Sequence, residues 1–180
     1  MFKRIVGIGL LFSILLAIYL QEPPEPLSKN QHYMGKSLHE HFLWAEKEYG
    51  IRPFAIGGHT PSGIERTIHV SMKGELNVSE NEARLIFLNC VYDLLRRINA
   101  NRELRPYLVQ YPFAPENVEY SINFNDLKGG LLSSLIYHMQ TFRGIILYDI
   151  WDVRTNRRSE ILRESYPEAD EKVKEHNSAK

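Results

Sequence analysis

Two histidines and a serine around a glycine-rich segment are the strongest candidates for chemistry in this chain. His59 and Ser62 lie in the loop from Gly57 to Gly63, and His69 follows it. Histidine nitrogens bind zinc, and a serine beside a histidine can act as a nucleophile. The loop lacks the G-x-S-x-G pattern of a nucleophile elbow and the Lys-Ser/Thr of a phosphate-binding loop. A hairpin tip accounts for its glycines, so His59 and His69 are weak metal candidates. No catalytic residue and no cofactor are predicted.

The other histidines and carboxylates give weaker indications. His39 and His41 are two residues apart, so on a helix they point about 200° apart and do not share a metal ion. Asp149 and Asp152 flank the end of an apolar run. Three residues apart on a strand, they face opposite sides of the sheet. The sequence therefore predicts solvated acids at a strand end rather than an acid–base pair.

Arginines cluster in two parts of the sequence. The first group is Arg96, Arg97, Arg102 and Arg105, and the second is Arg154, Arg157 and Arg158, with Arg163 after it. Guanidinium groups bind carboxylates, phosphates and lipid headgroups, so either group is a candidate patch for an anionic partner. The alternative is complementation of a helix C-terminus together with ordinary surface charge.

The first twenty residues indicate where the protein resides. Lys3 and Arg4 precede sixteen uncharged, mostly apolar residues, 5–20, as in a secretory signal. A cleavage site needs small residues, whereas Ala17 follows bulky ones. An uncleaved signal anchor is the alternative, although sixteen helical residues give roughly 24 Å against a hydrocarbon core of about 30 Å. In both cases the domain lies outside the cytoplasm, held in the membrane through residues 5–20 or periplasmic or secreted after cleavage.

Composition limits the remaining possibilities. A proline-rich linker is predicted over 21–34 and a single domain over 35–180. The 22 basic and 22 acidic residues cancel, which argues against nucleic-acid binding. Cys90 is the one cysteine and forms no internal disulfide, so the core alone must hold the exported domain together.

Capping signals and apolar periodicity predict the helices. Ser37 with Glu40 predicts a helix over 38–49, and Ser79 with Glu82 predicts a long helix over 80–99. A short helix over 102–108 and a last helix over 166–176 complete the set.

Alternating apolar residues predict the strands. A hairpin is expected from 54–56 and 64–72, followed by a meander of strands at 118–124, 131–140 and 144–151. The apolar run over 131–140 also fits a helix. The resulting fold class is α+β, a mainly antiparallel sheet with helices packed on one face, preceded by an N-terminal hydrophobic segment.

Most of the domain resembles a known family. The stretch from Ala83 to Leu108, then Tyr111 to Phe113, the strand from Val118 and the closing Arg163 to Tyr166 resemble small exported bacterial proteins without assigned function. The resemblance implies an exported α+β domain and transfers no active site.

These observations predict an exported or membrane-anchored, non-enzymatic module that binds a protein or envelope partner. The alternative is a small hydrolase or metal-dependent enzyme built on the loop from Gly57 to Gly63. The sequence leaves the oligomeric state open.

Overall fold

Six strands and three helices make up most of the computed structural model, which describes residues 29–60, 63–124, 135–152 and 154–178. The helices are α1 (Lys29–Tyr49), α2 (Glu80–Ala100) and α3 (Tyr166–Ser178). The strands are β1 (Arg52–His59), β2 (Thr67–Lys73), β3 (Val118–Asn123), β4 (His138–Phe142), β5 (Ile145–Asp152) and β6 (Arg157–Ser165).

The strands form one mixed sheet in the order β1-β2-β3-β4-β5-β6. Four of the five neighbouring pairs are antiparallel, and β2 and β3 are parallel. The parallel pair, which was not predicted, arises because α2 carries the chain between β2 and β3, and a crossover of that length returns the next strand in the same direction. The α+β class is confirmed, and the predicted hairpin and meander are both present in this sheet.

One face of the sheet is apolar and buried beneath the helices. Ile68, Val70 and Met72 of β2 alternate with half-exposed residues, as the sequence pattern predicts. On the same face, Tyr120 of β3 contacts the ring of Phe87 of α2 edge-on, with the ring centroids 5.8 Å apart. The rings and aliphatic side chains on this face form the core that positions the polar groups described below.

Among the predicted long helices, α1 differs most from the structure, at its N-terminus. α1 begins at Lys29, nine residues before the predicted start, so residues 29–34 of the predicted linker are helical. Ser37 is not an N-cap, because its hydroxyl donates back to the carbonyl of Tyr33 inside the helix at 3.4 Å. For α2 the capping box is confirmed, with the Ser79 amide donating to the carboxylate of Glu82 at 2.9 Å.

The end of β1 differs from the predicted end of the first strand. Gly57 and Gly58, predicted to be loop, belong to β1 and pair with His69 and Ile68. A Cβ on Gly58 would lie 3.2 Å from the carbonyl oxygen of Thr67, so the close strand pairing favours glycine there.

Further differences concern the second half of the chain. β6 was not predicted, and the predicted helix over 102–108 is reduced to the 3₁₀ turn Arg105–Tyr107, as the proline at 106 requires. Residues 125–130 and the first residues of the predicted strand over 131–140 lie outside the described residues.

No helix in the described ranges is long and apolar enough to cross a membrane. The predicted anchor over residues 5–20 lies outside those ranges.

Candidate functional site

The two predicted metal candidates lie on neighbouring strands. His69 of β2 is opposite Gly57, and His59 of β1 is opposite Thr67. The Nδ1 atom of His69 lies 2.8 Å from the carboxylate of Glu119, and the two side chains are 45% and 40% exposed. Among the described residues, no group of three or more His, Cys, Asp or Glu side chains could hold a metal ion. Ser62 lies outside the described residues.

A third histidine, His41, lies in a buried polar network that sequence reasoning missed. His41 of α1 has no exposed surface, and its Nδ1 lies 2.9 Å from the carboxylate of Asp93 of α2. Its Nε2 lies 2.8 Å from the hydroxyl of Tyr120. Because a carboxylate only accepts, Nδ1 of the neutral ring carries the proton and Nε2 accepts from the tyrosine. The Tyr120 hydroxyl also interacts with the thiol of Cys90.

Burial and hydrogen bonds set the pKa values of the groups in this network. Burial lowers the pKa of His41 below its ordinary value of 6.5, and the hydrogen bond to Asp93 offsets this only partly. Burial alone would raise the pKa of Asp93, but hydrogen bonds from His41, Arg97 and Arg96 hold it at about 2. The chain of groups resembles an acid–histidine–nucleophile arrangement in composition, yet its members donate and accept among themselves inside the core. We assign it a structural role.

Cys90 is therefore expected to be unreactive in the folded protein. Burial raises the pKa of its thiol to about 12, and its side chain has no exposed surface. Native protein treated with a thiol reagent at pH 8 should show less than about one hundredth of the labelling rate of the urea-unfolded chain. A cysteine introduced at the exposed Ala100 serves as the positive control. Equal labelling of Cys90 before and after unfolding would contradict the burial.

A second buried cluster joins α2, β5, β6 and α3. Nε of Arg84, which is 1% exposed, lies 2.7 Å from the carboxylate of Glu164 of β6. The same carboxylate accepts from Nζ of Lys172 at 2.6 Å and from the hydroxyl of Tyr148. Arg84 also donates to Glu80 at 2.6 Å. Every strong charge in this cluster has a partner, so it stabilises the packing of these four elements and leaves no group free for catalysis.

Asp149 is not the solvated acid that the sequence predicted. It is 4% exposed, and its carboxylate lies 2.9 Å from Nδ1 of His138 and 3.4 Å from Nε of Arg158. These three residues belong to β4, β5 and β6, so the pair is formed by strand register rather than sequence spacing. Asp152 instead accepts from the backbone amide of Arg154 at 2.9 Å in the turn that follows β5.

The two arginine groups lie at opposite ends of the sheet. The first follows the C-terminus of α2, where Asn101 bonds to the Tyr33 carbonyl near the start of α1. The second lies at the turn from β5 to β6, at the sheet end where β1 begins. In the first group, Arg96 and Arg97 bond to Asp93 at 2.5 and 2.7 Å. Two arginines of the first patch, Arg96 and Arg97, therefore stabilise the buried network.

The β1 strand is the most open surface on the sheet. It is an edge strand, and all eight of its residues are exposed. Phe54 and Ile56 are 65% and 55% exposed, against the rule that large apolar side chains are buried. In the sequence, this strand is an apolar run that ends in two glycines. That pattern predicted a short strand and did not indicate that its side chains are exposed at the edge of the sheet.

A groove adjoins the start of β1. It has a volume of about 610 Å³ and lies where α1 ends and β2 and β3 end. Its wall combines aromatic rings with two cations, Arg52 and Lys73. The Nζ atom of Lys73 lies 5.3 Å from the centroid of the Phe54 ring. The residues of its wall are Tyr49, Arg52, Phe54, Lys73, Glu75 and Tyr137, among others. Such a mixture suits a peptide with apolar and acidic side chains.

Compared with protein-family models, with curated proteins and with solved structures, the chain matches none of them.

Proposed function

We propose that this chain is an exported, non-enzymatic binding module, held in the membrane through residues 5–20, that binds an extended segment of an envelope protein along β1. The observation that carries the proposal is the exposed edge strand with Phe54 and Ile56 beside the groove. The basic and apolar start of the sequence supports the export. The resemblance to small exported proteins agrees with it.

The two edge strands of the sheet, β1 and β6, differ in charge. β6 carries alternating charges, including Arg157, Glu160 and Arg163, and charged edges discourage pairing with a further strand. β1 has no charged residue between Arg52 and His59. The open edge is therefore at β1.

The first part of β1 is less suited to pairing than the rest. Pro53 lacks a backbone N–H, and the register shifts between Pro53 and Ala55. A partner strand would thus form its main-chain hydrogen bonds along 55–59. The side chains of Phe54 and Ile56 and the groove would supply selectivity, as in other complexes formed by strand addition.

A lysine at position 56 is expected to weaken this binding at least tenfold. Burial of an isoleucine side chain contributes about 1.5–3 kcal/mol, and a charge on the edge opposes pairing. A photo-reactive amino acid at Phe54 of the full chain, in the intact bacterial host, should give one discrete adduct. Ile56→Lys should reduce its yield at least tenfold.

Leu43→Lys is the matched control, because Leu43 is 56% exposed and belongs to α1 rather than to β1. It should leave the adduct unchanged. The proposal fails if no adduct forms at position 54, or if both lysine variants reduce it equally.

Intact mass and membrane partition test the location separately. Full-length mass in the membrane fraction would support the anchor. A mass lacking the first ~20 residues in the soluble fraction would show a cleaved signal and a periplasmic or secreted module.

A further inference from the structure

The first arginine group lies at the end of the domain where the chain arrives from the N-terminal segment. Asn30, in the first turn of α1, donates to the carbonyl of Gly63 at 3.3 Å. The Asn101 side chain, just beyond α2, bonds to the Tyr33 carbonyl at 3.2 Å and to the Ser37 hydroxyl at 3.1 Å. The start of α1 and the end of α2 therefore form one end of the domain, which we call the entry end.

Basic side chains gather at the entry end. Lys29 and Lys36 of α1 and Arg66 before β2 join Arg102 and Arg105 there. All five are exposed, and none forms an ion pair with a carboxylate in the part of the chain that the structure describes. Among nearby acids, Glu65 is buried and accepts hydrogen bonds from Asn30 and Thr60. Glu40 is shared with Arg97, and Glu103 and Glu116 are exposed acids. The exposed charge at this end is thus predominantly positive.

The shape and the apolar side chains of the entry end suit a bilayer surface. A depression of about 360 Å³ lies between α1 and α2, and Lys36 and Arg102 form part of its wall. Next to it, Tyr111 is 50% exposed, and the guanidinium carbon of Arg105 lies 4.3 Å from the centroid of its ring. Val109 is 39% exposed. Tyrosines with neighbouring cations are typical of the headgroup region of membranes.

Chain length places this end close to the membrane. Eight residues, 21–28, separate the apolar run from α1, and eight residues span at most about 29 Å. The second arginine group lies at the opposite end of the sheet. Only the entry end is thus held beside the bilayer by its tether.

From this placement we infer that the entry end docks on anionic phospholipid headgroups of the bilayer that anchors the chain. This inference rests on the membrane anchoring of the proposed function and adds an orientation to it. Docking fixes which end of the domain faces the membrane and turns the groove and the second arginine group away from it. The attraction is electrostatic, so it weakens at high salt.

The test uses the full chain in lipid nanodiscs. An environment-sensitive dye on Ala100→Cys reports contact with the headgroups, since Cys90 is buried. Discs with 30% phosphatidylglycerol should shift the dye emission to the blue and expose it to a headgroup quencher. Discs of phosphatidylcholine alone, or 0.5 M salt, should abolish both effects.

Paired variants separate the entry end from general charge. Arg102→Gln/Arg105→Gln should lower the ratio of docked to undocked chain by about 30-fold, since each basic residue near an anionic surface contributes about fivefold. Arg154→Gln/Arg157→Gln removes the same charge at the opposite end and should leave the ratio unchanged. An equal loss in both pairs would overturn the inference.

Other outcomes identify other occupants and overturn the inference as well. Chain retained in the discs with a dye insensitive to lipid charge would overturn docking while leaving the anchor intact. Chain recovered outside the discs would overturn the anchor and, with it, docking. A blue shift produced by inorganic phosphate in phosphatidylcholine discs would assign the site to free phosphate.

Discussion

Replacement of Arg84 by methionine is expected to destabilise the protein by about 3–5 kcal/mol, because it leaves the Glu164 carboxylate buried without its main partner. Both side chains are almost fully buried, and the Nε atom of Arg84 lies 2.7 Å from the carboxylate. Burial would raise the pKa of Glu164, but hydrogen bonds from Arg84, Lys172 and Tyr148 keep it below the ordinary value. The total stability of a domain is about 5–15 kcal/mol, so this change approaches complete unfolding.

Urea unfolding of the full chain in non-ionic detergent, followed by tryptophan fluorescence, measures this loss. Arg154→Met is the matched control, since Arg154 is 96% exposed and its change should alter stability by less than about 0.5 kcal/mol. Arg84→Met/Glu164→Leu should recover part of the loss, because removing both charges leaves no unpaired ion in the interior. Glu80 and Lys172, which lose a partner, are 47% and 44% exposed. Similar unfolding midpoints for Arg84→Met and Arg154→Met would show that the pair is not a determinant of stability.

Acidification from pH 7 to pH 5 is expected to cost up to about 2 kcal/mol of stability through His41 alone. The pKa of His41 is lower in the folded protein than the ordinary 6.5, chiefly through burial. Below pH 6.5 the unfolded chain therefore binds more protons than the folded one. The stabilisation is complete above pH 6.5 and falls by at most about 1.4 kcal/mol per pH unit until the folded pKa is reached.

Two features isolate this effect. The pKa of Asp93 is about 2, compared with an ordinary value of 3.8, so its contribution is lost only in more acidic solution. His41→Gln should flatten the pH dependence between pH 5 and 7, whereas His39→Gln, at an exposed position on the same helix, should retain it. Urea unfolding at pH 5, 6 and 7 gives the three slopes. A wild-type slope unchanged by His41→Gln would assign the titration to another group.

Both predictions concern buried polar groups that join helices to the sheet. The His41 network connects α1, α2 and β3, and the Arg84 cluster connects α2, β5, β6 and α3. Such groups tolerate little movement, because an unpaired buried charge is costly. The framework is thereby rigid on one face, while the β1 edge and the entry end remain available for partners.

The helices α2 and α3 were predicted well because their signals are local. The apolar stripe and capping residues of α2 lie within one segment, and the structure places that helix within one residue of the prediction. α1 was predicted too short, since its first turns are stabilised by contacts distant in sequence, such as Asn30 to Gly63. β6 was missed because an edge strand exposes most of its side chains, and its arginines gave the pattern of a surface patch.

The sequence by itself determined the α+β class, the core-facing residues of β2 and β3 and the main helices, because spacing alone decides which side chains share a face. It also determined the basic and apolar pattern of residues 1–20 on which the export proposal rests. Only the tertiary structure decided which polar residues meet. Asp149 is joined to His138 by strand register, and His41 meets Asp93, 52 residues away, through helix packing. It likewise decided that β1 is an edge and that the two arginine groups lie at opposite ends of the sheet, since both depend on the order of strands.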